Sequence, residues 1–166
     1  MNILFKILAC STIFLSVPAS ADIRSPTGKP LNDFYTVHGA ISAIRATKDI
    51  CNTRYPEFRV ANEKAYKAWQ KRYMDFRYKM EQYNEEIIKS IAKGSAEKYA
   101  KMLETDALSY EKSKEQLHNF FLTMGDDAYR KTCRAYPSYT TSEKANFPIY
   151  YEEHIAIFEE YWRKAK

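Results

Sequence analysis

Apolar side chains recur every three or four residues through most of this chain, which is the period of an amphipathic α-helix. The longest run covers residues 58–93 and contains no proline or glycine. A second run covers residues 96–124, where the apolar positions alternate at intervals of four and three. Between them, Gly94 is placed to end one helix and Ser95 to cap the next. The pattern predicts two long helices joined by a tight turn into an antiparallel hairpin.

Shorter helices are predicted on either side of the hairpin. The first starts at an N-cap, Asn32 or Asp33, and runs to about residue 50 before Pro56. A fourth covers about residues 128–136 and ends at Pro137; residues 138–148 then form a loop with room for one helical turn. The last helix carries Tyr151, Ile155, Phe158 and Trp162. The expected fold is all-α: a long hairpin packed with shorter N- and C-terminal helices, as one bundle-like domain over residues 32–166.

The N-terminus has the pattern of a secretory signal peptide, "MNILFKILACSTIFLSVPASA". Lys6 is its only charge, and the apolar stretch after Lys6 is shorter than the roughly 20 residues that span a bilayer. A membrane anchor and a lipid-modified Cys10 are the alternatives. Cleavage after Ala21 leaves no transmembrane segment in the mature chain, with residues 22–31 as a loose lead-in. We therefore expect an exported protein, periplasmic or secreted.

The two cysteines that remain after cleavage, Cys51 and Cys133, are each followed by Tyr-Pro, at Tyr55 and Tyr136. An even pair in an oxidising compartment favours a disulfide. A redox pair normally has Cys-x-x-Cys spacing, and zinc needs more ligands close by. The antiparallel hairpin brings its two open ends together, so we expect the bond there, with both tyrosines over the sulfurs. An internal duplication is the alternative, but the flanking helices differ in length and pattern.

Positive charge is concentrated in one segment of the chain. The chain has 26 basic and 21 acidic residues, and loss of Lys6 leaves a net charge of +4. Residues 59–79 hold seven basic and two acidic residues, interleaved with aromatic ones. This is either a solvated helix face or a surface for an acidic protein, an anionic cell-wall polymer or lipid headgroups; export argues against nucleic acid. The predicted contact surface is Arg59, Lys64, Tyr66, Lys67, Lys71, Arg72, Arg77 and Tyr78.

Catalytic and metal-binding motifs are sparse. Glu115-x-x-His118 has the spacing of helical di-iron sites, but the second copy that such a site requires is missing. The neighbouring Glu153 and His154 are interpreted as a solvated surface pair, with an acid–base pair as the alternative. No nucleophile elbow, haem-attachment motif or phosphate-binding glycine-rich loop occurs. We predict no catalytic residue, no metal and no cofactor, and an enzyme using His118 or His154 is a less favoured alternative.

Lys114 interrupts the apolar seam of the third helix. Two interpretations are open. Its stem can pack on the seam while the ammonium group reaches water. Alternatively, the ammonium group can meet a carboxylate such as Asp75 on the second helix and fix the register of the hairpin.

Two short motifs, "CNTRYP" at 51–56 and "AYKAWQKRY" at 65–73, resemble those of small exported bacterial helical proteins whose activity is uncharacterised. The resemblance implies a periplasmic location and a disulfide-braced helical fold, and it implies no activity. Periplasmic lysozyme inhibitors and immunity proteins share the size and location, without a diagnostic motif here. We expect a binding protein, with an inhibitor- or immunity-like role as one form of it and an envelope-associated structural or stress accessory protein as the alternative.

Overall fold

A computed structural model describes residues 25–165, and helices account for most of them. The α-helices are Pro30–Arg54 (α1), Arg59–Arg72 (α2), Met74–Ala92 (α3), Ala96–Thr123 (α4), Asp126–Thr140 (α5), Phe147–Tyr150 (α6) and Glu152–Ala165 (α7). Single 3₁₀ turns lie at Pro56–Phe58 and Glu143–Ala145. Residues 25–165 contain no β-strand, so the all-α prediction is confirmed. The predicted signal peptide, residues 1–21, lies outside the described residues.

The predicted hairpin is formed by α3 and α4, which pack against each other. The turn between them places Lys93 and Gly94 at positive φ, 50° and 79°. Glycine reaches this left-handed region without the steric cost of a Cβ atom. The Ser95 hydroxyl then accepts a hydrogen bond from the Lys98 N–H at 3.3 Å, as an N-cap does. Local sequence therefore determines where the hairpin turns.

The long helix predicted over residues 58–93 is divided at Tyr73, which has φ −112° and ψ 27°. Helical hydrogen bonds still enter and leave this residue. The Tyr73 N–H donates to the Trp69 carbonyl at 3.1 Å, and the Arg77 N–H donates to the Tyr73 carbonyl at 2.9 Å. The segment contains neither proline nor glycine, and the Tyr73 ring lies against the Trp69 indole, with centroids 5.8 Å apart. The division is a local change of backbone angle rather than a loop.

The described chain forms two compact units, and residues 45–140 make up one of them. Its core surrounds the Cys51–Cys133 disulfide, which joins α1 to α5 with the two Cα atoms 5.3 Å apart. This confirms the predicted bond. The core side chains are Ala46, Ile50, Cys51, Tyr55, Leu117, Phe121, Tyr129 and Cys133. Tyr55 thus belongs to the same cluster as both sulfurs, and Tyr136 is buried further along α5.

The prediction that Pro137 ends the fourth helix is wrong, because α5 continues to Thr140. Proline removes one N–H donor, so α5 forgoes the hydrogen bond to Cys133 four residues earlier. Only three residues follow Pro137 in the helix, and the Thr140 hydroxyl donates to the Pro137 carbonyl at 2.8 Å. Cys51 likewise lies inside α1, which extends to Arg54.

The other compact unit consists of the described residues 25–44 and 141–165. Here the first part of α1 packs on α7, with the Phe34 and Phe158 rings 4.8 Å apart. The helix begins at Pro30, earlier than the predicted cap at Asn32 or Asp33. Much of the predicted loop over residues 138–148 is helical, since it contains the end of α5, a 3₁₀ turn and the start of α6. The prediction of a single domain over residues 32–166 stays a prediction.

Candidate functional site

The five basic residues of α2 are all exposed to solvent. None of the ion pairs found within residues 25–165 includes any of these five residues. The opposite side of α2 is anchored by the buried Asn62, Tyr66 and Trp69. The helical period places Lys64, Lys67 and Lys71 opposite these anchors, and Arg59 and Arg72 flank them. We call the following set the basic face: Arg59, Lys64, Lys67, Lys71 and Arg72.

Glu63, the single acidic residue of α2, is engaged by α1 and does not neutralise the basic face. Its Oε1 atom accepts from Lys48 Nζ at 3.1 Å and from Asn52 Nδ2 at 2.9 Å. Asn52 Oδ1 in turn accepts from Asn62 Nδ2 at 3.3 Å. These contacts fix α2 on α1 and keep its one negative charge on the anchoring side.

Lys48 is shared between two carboxylates, since its Nζ atom also lies 3.0 Å from Asp49. Its ammonium group stands 4.8 Å from the centre of the Tyr66 ring. Burial alone would lower the pKa of Lys48, but hydrogen bonds and charge from Asp49 and Glu63 together raise it above its ordinary value. The raised pKa keeps Lys48 cationic at neutral pH.

Two residues of the predicted contact surface are not part of the exposed cationic side. Tyr66, which was predicted to lie on the contact surface, is buried, and its ring is stacked near Trp69. Arg77 is half-buried; it pairs with Glu81 at 3.5 Å and stands 5.8 Å from the Trp69 ring. Tyr78 is exposed, as expected.

Exposed apolar residues accompany the lysines, and two of them, Val60 and Met74, were not predicted. Val60 is 82% exposed, Met74 61% and Tyr78 61%. They fall in line with three lysines at intervals of 4, 3, 4, 3 and 4, the spacing that places residues on one side of a helix. This spacing could have revealed Val60 and Met74 beforehand. We call the following row the α2 stripe: Val60, Lys64, Lys67, Lys71, Met74 and Tyr78.

Helix α5 packs beside α2 and adds further cations to this part of the molecule. The Arg134 guanidinium lies 5.7 Å from the centre of the Phe58 ring, immediately before α2. Lys131 is exposed. Arg130 lies over the same ring but pairs with Glu57 at 2.7 Å. The cationic surface therefore continues from the start of α2 onto α5, which only the folded chain reveals.

The prediction that His154 forms a solvated pair with Glu153 is wrong. The His154 side chain is 1% exposed, and its Nδ1 atom lies 3.1 Å from Asp33 Oδ1. The same oxygen accepts from the Thr27 N–H at 2.7 Å and from the Thr27 hydroxyl at 3.0 Å. Both partners are buried, and the pair ties the start of α1 to α7.

His118 is half-buried, and its Nδ1 atom lies 2.9 Å from the Tyr129 hydroxyl. Burial raises the pKa of Tyr129 to about 12, so this phenol stays protonated at neutral pH.

The alternative pairing of Lys114 with Asp75 is wrong, because Lys114 pairs with Glu111 on its own helix. Its ammonium group also stands 5.6 Å from the Tyr110 ring, in keeping with a stem packed along the helix.

Within residues 25–165, no three His, Cys, Asp or Glu side chains are grouped so that they could hold a metal ion. No helix in the same part of the chain is long and apolar enough to cross a membrane. The comparisons with known proteins found no matching family, no matching curated protein and no matching solved structure.

Proposed function

We propose that this protein is an exported binding protein that docks an anionic partner through the basic face of α2. The observation that carries the proposal is the inward pairing of Glu63 with Lys48. It leaves five exposed cations on one helix, none of which forms an ion pair within residues 25–165. Such a group attracts anions over a Debye length of about 8 Å at physiological salt.

The setting of α2 supports a docking role. Its anchoring side is held by the buried Trp69 and Asn62, so the cations stand on a fixed backbone. A preorganised surface loses less conformational entropy on binding than a mobile one does. Export is supported by the signal-peptide pattern of residues 1–21 and by the disulfide, a bond typical of oxidising compartments. An inhibitor- or immunity-like role belongs to the same proposal.

Charge reversal on the stripe tests the proposal against a control with the same change in net charge. The test variant is K64E/K67E/K71E, and the control is K98E/K101E/K112E, three exposed lysines of α4. The assay immobilises heparin, a polyanion, on a solid support and measures binding of the protein to it over a range of salt concentrations. We expect the α2 variant to lose at least about tenfold in affinity, or about 1.4 kcal/mol, and the α4 variant to change little. Equal losses would show that net charge alone governs binding and would contradict the proposal.

A further inference from the structure

The order of residues along the α2 stripe is unusual for a surface that binds another protein. Protein interfaces place apolar residues at the centre and charges at the rim, and lysine is depleted throughout them. The α2 stripe has the reverse order. Three lysines occupy its middle, and the apolar side chains stand at its two ends, with Val60 at one and Met74 and Tyr78 at the other.

A soluble polyanion accounts for only half of this arrangement. Phosphate, sulfate or carboxylate groups would engage the lysines, but they offer nothing to the apolar ends. Val60, Met74 and Tyr78 are 61–82% exposed and are therefore available to a partner that offers apolar contact. The surface of a bilayer supplies both kinds of contact, since its phosphates accept from ammonium groups and its acyl boundary receives apolar side chains.

The α2 stripe is extended and continues over two helices. From Val60 to Tyr78 there are 18 residue steps, or about 27 Å of helical path. Helical hydrogen bonds enter and leave Tyr73, so the row passes from α2 to α3 without a loop. Tyr78 has an aromatic ring with a polar hydroxyl. Tyrosine is enriched at membrane–water interfaces, where its ring contacts the apolar region and its hydroxyl contacts water.

We propose that the partner of the α2 stripe is an anionic lipid bilayer. This inference rests on the proposed function of the basic face and names its partner class. The three lysines contact headgroup phosphates, while Val60, Met74 and Tyr78 enter the interface beside them. From the usual contribution of a lysine near an anionic membrane, the three together account for roughly a 100-fold gain in affinity.

The experiment measures co-sedimentation of the mature protein with vesicles of phosphatidylcholine containing about one-third phosphatidylglycerol, against vesicles of phosphatidylcholine alone. One variant removes the apolar ends without changing charge, V60S/M74S/Y78S. Its matched control is L103S/L108S, which alters two exposed leucines of α4. K64E/K67E/K71E and K98E/K101E/K112E form the second pair. Circular dichroism confirms that each variant is folded, as expected for exposed positions.

We expect the parent protein to bind only the anionic vesicles. K64E/K67E/K71E should lose about 100-fold and V60S/M74S/Y78S at least about tenfold, with both α4 controls unchanged. If the parent binds heparin but not vesicles, or if the serine variant binds vesicles as well as the parent does, the lipid assignment is overturned and the basic face stands. If the parent binds neither heparin nor vesicles, both proposals fail.

Discussion

Loss of the Cys51–Cys133 bond should destabilise the protein by an amount that follows from its position in the chain. The bond joins residues 82 apart, so it closes most of the unit formed by residues 45–140. For a loop of this size, the loop-entropy relation gives about 4.5 kcal/mol at 25 °C. Whole domains are stable by only about 5–15 kcal/mol. The bond therefore supplies a large share of the free energy of unfolding.

The assay is urea unfolding followed by circular dichroism, for C51A, C133A and C51A/C133A beside the parent. Either single replacement already breaks the bond, so we expect each to lower the free energy of unfolding by about 4–5 kcal/mol. The double variant should be only about 1 kcal/mol lower again, from the space left by the second sulfur in the core. Parent protein unfolded and refolded in reductant serves as the control and should resemble the single variants.

Two results would refute this reasoning. One is a loss below about 1 kcal/mol for each single variant with an additive double variant, which is the behaviour of two independent cysteines. The other is an unchanged free energy of unfolding for the reduced parent. The urea m-value gives a further check, because a chain without the crosslink exposes more surface when unfolded and its m-value should rise.

Three other predictions concern stability. Hydrogen bonds from Tyr55 and Arg54 lower the pKa of Asp126, so its stabilisation is present above about pH 4 and disappears as the pH falls through the lower folded value. The urea midpoints of the parent and D126N should therefore differ at pH 7 and draw together as the pH falls below about 4; a constant gap would contradict this. D33A should lower the free energy of unfolding in urea by about 2–5 kcal/mol, because His154 and Thr27 lose a buried acceptor. The exposed-site control N32A should stay within about 0.5 kcal/mol of the parent. G94A should cost about 1 kcal/mol of stability and lower the thermal midpoint. The cause is the φ of 79° at Gly94 alone, since an added Cβ would meet nothing within 4 Å. An unchanged midpoint would refute this prediction.

The hairpin and the disulfide could be predicted because their causes are local or topological. A 3.6-residue apolar period over two long runs, with Gly94 and Ser95 between them, leaves few alternatives to a helical turn. Two cysteines beside the open ends of a hairpin then have only each other as partners. Five of the six cations in the predicted contact surface, all except Arg77, are exposed on α2, and Lys64, Lys67 and Lys71 lie opposite its buried side as the same period predicts.

The features that escaped prediction depend on contacts between distant residues. Asp33 and His154 are 121 positions apart, so neither neighbourhood shows that the other is present. Tyr66 is buried, with Lys48 of α1 over its ring. In both cases tertiary packing overrides the local pattern. The division at Tyr73 has no proline or glycine to announce it, and Pro137 is tolerated for a local reason, because the helix ends one turn later.

The contact between Lys48 and Glu63 gives a residue of α1 control over the electrostatic potential of α2. Glu63 stands four positions before Lys67, the orientation in which a glutamate and a lysine attract each other most along a helix. Without Lys48, Glu63 would keep the hydrogen bond from Asn52 but lose its ion pair, and its charge would then act on Lys67. Lys48 is therefore the counterion of Glu63, and its loss would lower the positive potential of the basic face.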